Sequence, residues 1–229
     1  MLLVLWDVDH TLVEVRDVSR EAYAVGFERV TGVQLTNLAV MTGRTDRAII
    51  RDTLRLHGLM PFDEVVERVA EAVGEEYTAR SESVRENGRV LPGAADALRA
   101  LDGLADVHQS VLTGNMLPIA RVKLSSFGLT EHLDLASGAF GMDHAERWRL
   151  VAMASRRASE TVRATIPPED TVVIGDTVLD VRAALRAGAR AVAVATGTSS
   201  ADELRAAGAP VVLDDLTDTA RLLAAVRGH

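Results

Sequence analysis

Leu2-Leu3-Val4-Leu5-Trp6-Asp7-Val8-Asp9-His10-Thr11 decides how this chain is read. An unbroken apolar run is the pattern of a strand buried on both faces of a parallel sheet, whereas a half-exposed strand alternates. In open α/β sheets ligands sit outside the carboxyl ends of the strands, so Asp7 falls on the ligand side. A turn that bends back lets Asp7 and Asp9 look into one crevice. There one carboxylate can attack as a nucleophile while its neighbour moves a proton. The plain alternative is a strand that ends in acidic turn residues, which are common in turns.

The rest of the chain repeats this layout. Apolar, β-rich runs recur at Val107 to Leu112, Thr171 to Ile174, Ala191 to Val194 and Val211 to Leu213, with a weaker one near Leu133 to Ala136. Stretches with helical spacing lie between most of them, for example Gly93 to Leu101 and Val178 to Ala187. Such alternation implies a doubly wound parallel sheet with right-handed crossovers, an α/β fold of Rossmann-like type. From about Val13 to Val90 the sequence offers no strand and three helical patterns instead: Ser19 to Val30, Thr45 to Leu56, and Phe62 to about Arg85. Val65, Val66, Val69 and Val73 give the last an apolar stripe. The reading is therefore an α/β core of residues 1–12 and 91–229, with a helical module inserted at 13–90. Leu91-Pro92-Gly93 marks the return.

Composition narrows the function classes. A net charge of -8 argues against a general nucleic-acid surface, and no apolar run approaches a membrane span. The chain reads as cytoplasmic. With no cysteine, disulfides, thiolate catalysis and Cys-based metal sites drop out together. Of 25 basic residues only Lys123 is a lysine, so chemistry that needs an amine has one candidate.

Two further strand ends carry polar signatures. Thr113-Gly114-Asn115 offers a hydroxyl and backbone amides that can hold phosphate oxygens, or else an N-cap with a turn glycine. In Gly175-Asp176-Thr177-Val178-Leu179-Asp180 two acids are spaced to share a cation, or else to cap a helix and favour its dipole.

With Asp7, Asp9, Thr113, Asp176 and Asp180 at three strand ends, in this order and spacing, the chain resembles the haloacid dehalogenase-like hydrolases. The likeness is to the phosphatase branch with a helical cap after the first motif. It implies that Asp7 is a nucleophile forming an aspartyl phosphate and that Asp9 is the general acid and base. It also implies that Thr113 holds phosphoryl oxygens, with Gly114 and Asn115 beside it. Magnesium would be bound by Asp7, the backbone carbonyl of Asp9, and Asp176, with Asp180 in support. An all-oxygen set suits that cation.

Two positions depart from the family's pattern. His10 stands where glycine is usual. The basic residue of the third motif, usually lysine, has two candidates. Arg147, at a helix start after Asp143-His144-Ala145-Glu146, is favoured over Lys123, which lies about two turns past Asn115 and so roughly 12 Å along a helix axis.

Asp9 favours a phosphorylated substrate over a haloacid, because the dehalogenases lack this second acid. A phosphonate-cleaving activity, which uses a cap lysine, is excluded by a cap without lysine. The mutases carry a cap histidine where Ser19 stands here. Thr42-Gly43-Arg44-Thr45-Asp46 resembles the specificity loop of phosphoglycolate phosphatase-like proteins. Arg44 would then pair with a carboxylate or second phosphate on a small metabolite. The alternative is a helix capped by Thr45 with Arg44 in solvent. The expected activity is magnesium-dependent hydrolysis of a small phosphorylated metabolite. A phosphomutase and a non-catalytic phosphometabolite-binding protein are the alternatives.

Overall fold

The computed structural model describes residues 1–228. Strand β1 (Leu2–Trp6) runs through the centre of the protein with Leu3 to Trp6 fully buried, as its unbroken apolar pattern predicts. Beyond it the chain forms β2 (Val13–Val15), which pairs antiparallel with β3 (Gly88–Val90). These two strands carry the chain into and out of the helical insert. They correct the expectation of a strandless stretch from 13 to 90, because three-residue strands are too short for an apolar pattern to register.

Strands β4 (Val107–Val111), β5 (Thr171–Gly175), β6 (Arg190–Val194) and β7 (Val211–Leu213) join β1 in a parallel sheet of order β4-β1-β5-β6-β7. Pleating sends alternate residues of β1 to opposite faces. Val4 and Trp6 pack on α5 (Ala94–Asp102), α6 (Leu117–Ser126) and α10 (Thr219–Arg227). Leu3 and Leu5 pack on α7 (Arg147–Val162), α8 (Val178–Arg186) and α9 (Ala201–Ala206). The sheet is covered on both faces, and β1 lies between β4 and β5, where the strand order reverses direction. That is the place at which a crevice opens outside the strand ends.

The weak strand expected near Leu133 to Ala136 is absent. After a 3₁₀ turn at Thr130–His132, the Asp134 carboxylate accepts from the Ala136 amide at 3.0 Å, closing a turn where an extended strand would be needed. Only an isolated bridge between Leu112 and Ala139 continues the β4 edge.

The insert comprises α1 (Val18–Thr31), α2 (Asp46–Leu56), α3 (Asp63–Ala79) and α4 (Ser81–Asn87). The long helix expected from Phe62 to Arg85 is broken at Arg80, beyond which Ser81 and Ser83 are poor helix formers. Tyr23, Phe27, Ile49, Ile50, Leu54, Val66, Val69, Val73 and Tyr77 form the insert's core, and Met116, Ile119 and Val122 close it from the other side. Helix α6 therefore serves two cores. Ala120 and Leu124 face the sheet cluster while Ile119 and Val122 face the insert.

Candidate active site

Asp7 follows the last residue of β1, and its backbone amide donates to Ile174 of β5 at 2.8 Å. The next turn is closed by His10 in the left-handed region at φ 56. This accounts for the family's usual glycine there, which adopts positive φ without strain. The His10 carbonyl accepts from Thr196 Oγ1, which ties the turn to the end of β6.

Asp7 is buried, as are Asp176 and Asp180, and ligand oxygens of all three lie within 4.8 Å of one another. One cation stands among them. Arg147 Nη2 lies 2.8 Å from Asp7 Oδ1 and 2.6 Å from Asp180 Oδ1. Burial, with Asp180 and Asp9 nearby, raises the Asp7 carboxyl to about 7 although Arg147 opposes the shift. Burial and the charges of Asp7 and Asp180 raise Asp176 to about 9. Asp176 Oδ2 is buried with no hydrogen-bond partner. Three carboxylates against one guanidinium, with an orphaned oxygen, make a hard-oxygen set that fits a divalent cation such as magnesium.

Asp180 does two jobs. Its Oδ2 accepts from the Thr177 amide at 3.0 Å and the Thr177 hydroxyl at 2.6 Å, completing a capping box at the start of α8, while Oδ1 meets Arg147. The capping reading of this segment therefore holds, and Asp180 at the same time stands within the acidic cluster. Thr11 Oγ1 approaches Asp176 Oδ1 at 3.4 Å, a contact that no motif signalled.

Asp9 points elsewhere, and its carboxylate takes no part in the cluster. Lys123 Nζ lies 2.6 and 2.7 Å from its two oxygens, and Asn115 Nδ2 donates to Oδ2 at 2.7 Å. Burial alone would push the Asp9 carboxyl up, but the Lys123 ammonium and these hydrogen bonds outweigh it and hold the carboxyl below its ordinary value. The distance argument against Lys123 is thereby corrected. Helical side chains lean toward the N-terminus, and a four-carbon stem reaches back over the preceding turn, so rise along the axis overstates the separation. Both basic candidates enter the site, each on a different aspartate. Asn115 also donates to Thr113 Oγ1 at 2.9 Å and accepts from Lys123 at 3.0 Å, so its side chain belongs to this network.

The loop before α2 lies directly on the core. The Gly43 carbonyl accepts from Arg147 Nη1 at 3.2 Å, the Asp46 amide donates to the Gly114 carbonyl at 2.7 Å, and Thr45 Oγ1 donates to the Ala145 carbonyl at 2.9 Å. A side chain at Gly114 would place its Cβ 2.0 Å from the Arg44 carbonyl, so the glycine permits this approach. Arg44 lines the cavity, but its guanidinium is turned to partners of its own segment. Its guanidinium meets Asp52 at 2.5 Å and donates to the Val40 carbonyl at 3.3 Å, while Thr45 caps α2. Thr42 and Gly43 line the cavity.

Asp46, which carried no signal beyond its place in that loop, is buried at this junction. It accepts from the Tyr23 hydroxyl at 2.5 Å and the Met116 amide at 2.6 Å. Burial raises its carboxyl from 3.8 to about 6 against the pull of those two donors. The folded protein thus holds this proton more tightly than the unfolded chain. Its contribution to stability is full below about pH 4 and falls as pH rises through about 6. Tyr23→Phe removes a hydrogen bond to a charged group at neutral pH, where a loss of about 1.5–3 kcal/mol is expected. Urea denaturation should give a smaller loss at pH 4.5, where Asp46 is protonated, than at pH 7.5.

Together Asp7, Asp9, His10, Thr113, Asn115, Lys123, Arg147 and Asp176 border one cavity of about 220 Å³ at the junction of insert and core. Among the described residues no helix is long and apolar enough to cross a membrane.

Comparison with known proteins agrees with this geometry. A family model for HAD-hydrolase-like proteins matches residues 149–219. "Probable phosphatase IndB" of Dickeya dadantii is 27% identical over 227 residues, covering 94% of this chain and 90% of that protein. A variant of CbbY from Rhodobacter sphaeroides, solved with xylulose-(1,5)bisphosphate, has the same fold with a TM-score of 0.71 at 24% identity, covering 95% of this chain and 96% of its own. A predicted phosphatase from Clostridium acetobutylicum follows at TM-score 0.70 and 19% identity, covering 97% and 98%. The doubly covered sheet, the acids at its strand ends and these likenesses point the same way: the chain is similar to HAD-hydrolase-like proteins over residues 149–219 and to a probable phosphatase over most of its length.

Proposed function

We propose that the protein is a phosphomonoesterase in which Asp7 attacks phosphorus and Asp9 transfers the proton. Residues 13–90 act as a cap over a core of residues 1–12 and 91–229. The observation that carries this reading is the separation of the two aspartates. Asp7 is drawn into the cluster with Asp176, Asp180 and Arg147, while Asp9, two residues on, is held apart by Lys123 and Asn115. Two carboxylates in different environments can divide nucleophile and proton carrier between them.

Arg147 keeps the Asp7 carboxylate fixed in direction and offsets negative charge beside it. Thr113 Oγ1 and the backbone around Gly114 take the phosphoryl oxygens. Asp7 displaces the alkoxide and becomes an aspartyl phosphate, and Asp9 protonates the departing oxygen. The ionised Asp9 then accepts a proton from the water that attacks the aspartyl phosphate, returning free phosphate and Asp7. The resting Asp9 is ionised beside Lys123; the arriving phosphate, itself anionic, pushes it toward the protonated form that the first step needs. Magnesium, held by Asp7, Asp176, Asp180 and the Asp9 carbonyl, would supply the positive charge that lets a carboxylate approach a phosphate. The docked loop from Thr42 to Asp46 keeps bulk water from the intermediate.

Hydrolysis of p-nitrophenyl phosphate with and without magnesium tests the activity, and turnover that persists in chelator overturns the metal's part. A second readout is independent of turnover. The raised Asp7 and Asp176 carboxyls hold protons that the unfolded chain has lost above about pH 4, so the chelated protein is expected to lose stability as pH rises from 5 to 8. Magnesium at pH 8 should raise the melting temperature, corresponding to about 2.7 kcal/mol at a hundred times its Kd. Asp176→Asn should weaken that response.

A substrate like phosphoglycolate loses its main support here, since Arg44 is turned to Asp52.

A further inference from the structure

On the insert's side of the cavity Val15, Met41 and Ile49 present apolar surface, and Ser19 and Thr42 each present a hydroxyl. The charged groups of the wall are already paired. Arg147 is held by Asp7 and Asp180, and Lys123 by both oxygens of Asp9 and by Asn115. Arg44 also lines the cavity, but its guanidinium is bound within its own segment by Asp52 at 2.5 Å, the Val40 carbonyl at 3.3 Å and the Ala48 carbonyl at 3.5 Å. His10 belongs to the core turn next to Asp9, not to the wall made by the insert. Asp46, buried on the same side, adds a carboxyl whose partners are Tyr23 and Met116. Among the described residues the cap therefore offers no cation free to receive a second anionic group. An anion buried against apolar side chains without a partner is strongly disfavoured.

We propose that the substrate is the phosphomonoester of a compact, uncharged alcohol. Its carbon skeleton packs on Val15, Met41 and Ile49, and one polar group reaches Ser19 Oγ. The cavity of about 220 Å³ suits a compact alcohol. The inference rests on the phosphomonoesterase reading of Asp7 and specifies the leaving group that reading accepts.

Two pairs of phosphates differ in a single group: phosphoglycolate and 2-hydroxyethyl phosphate, and 3-phosphoglycerate and glycerol 3-phosphate. In each pair a carboxylate replaces a hydroxymethyl group. Each compound is tested with magnesium present as a competitor of p-nitrophenyl phosphate hydrolysis, so that Ki is obtained whether or not the compound itself turns over. In both pairs the neutral member is expected to bind at least about tenfold more tightly, as the penalty for an unpaired charge demands. Equal binding, or tighter binding of the carboxylates, overturns the proposal while leaving the phosphatase reading intact. A protein that fails to hydrolyse p-nitrophenyl phosphate at all defeats both together. Arg44→Gln should leave the ratio of Ki values within each pair unchanged. A selective weakening of the carboxylate members in that variant would mean that Arg44 swings into the site, and would also overturn the proposal.

Discussion

Asp7→Asn is expected to lower the hydrolysis of p-nitrophenyl phosphate by at least about 10³-fold, because an amide cannot accept the phosphoryl group and removal of a nucleophile abolishes the covalent route. The substitution keeps the shape of the side chain, so the turn at Val8 to Leu12 is preserved. It also removes one of three carboxylates gathered within 4.8 Å, and Arg147 retains Asp180 as a partner. The chelated variant should therefore be at least as stable as the parent protein above pH 7, where the parent carries the most mutual repulsion in this cluster. Melting curves measured beside the kinetics separate the two effects. An active Asp7→Asn protein would end the proposed mechanism, whereas an inactive and unfolded one would mean that the charge cluster has been misjudged.

Lys123→Met is expected to act through Asp9, and the leaving group reveals it. Methionine fills much of the lysine's volume beside Tyr77 but leaves the Asp9 carboxylate with Asn115 alone. General acid catalysis is typically worth 10² to 10⁴-fold, and an alkoxide needs a proton far more than p-nitrophenolate does. Turnover of glycerol 3-phosphate should therefore fall by about 10²-fold or more, with kcat affected and KM much less, while turnover of p-nitrophenyl phosphate falls by less than about tenfold. An equal loss on both substrates would point to a structural role for Lys123 and would remove Asp9 as the proton donor. Breaking a fully buried ion pair costs about 3–5 kcal/mol, but the Asp9 side chain is 36% exposed, so a smaller loss of stability is expected.

Much of the fold was legible in the order of residues. Uniformly apolar strands, each ending in polar residues and most followed by helical spacing, imply a parallel sheet whose carboxyl ends lie on one edge. That rule alone brings Asp7, Asp9, Thr113, Asp176 and Asp180 near one another. The elements that escaped are short or turn-like. Strands β2 and β3 have three residues each, and the Asp134 carboxylate bends the expected strand at Leu133 to Ala136.

The partners of the charged side chains were a different matter. Sequence by itself determined which acids stand at the strand ends, because a strand's direction and a following turn are local properties. Only the tertiary structure decided that Arg147 meets Asp7 while Lys123 meets Asp9, that Arg44 turns to Asp52, and that Asp46 is buried under the loop from Thr42. Long, flexible side chains can reach several acceptors from one backbone position. Their choice follows from how α6 is wedged between the sheet and the insert and from how the loop before α2 lies on Gly114. Both are packing between segments far apart in the chain, which no local spacing records.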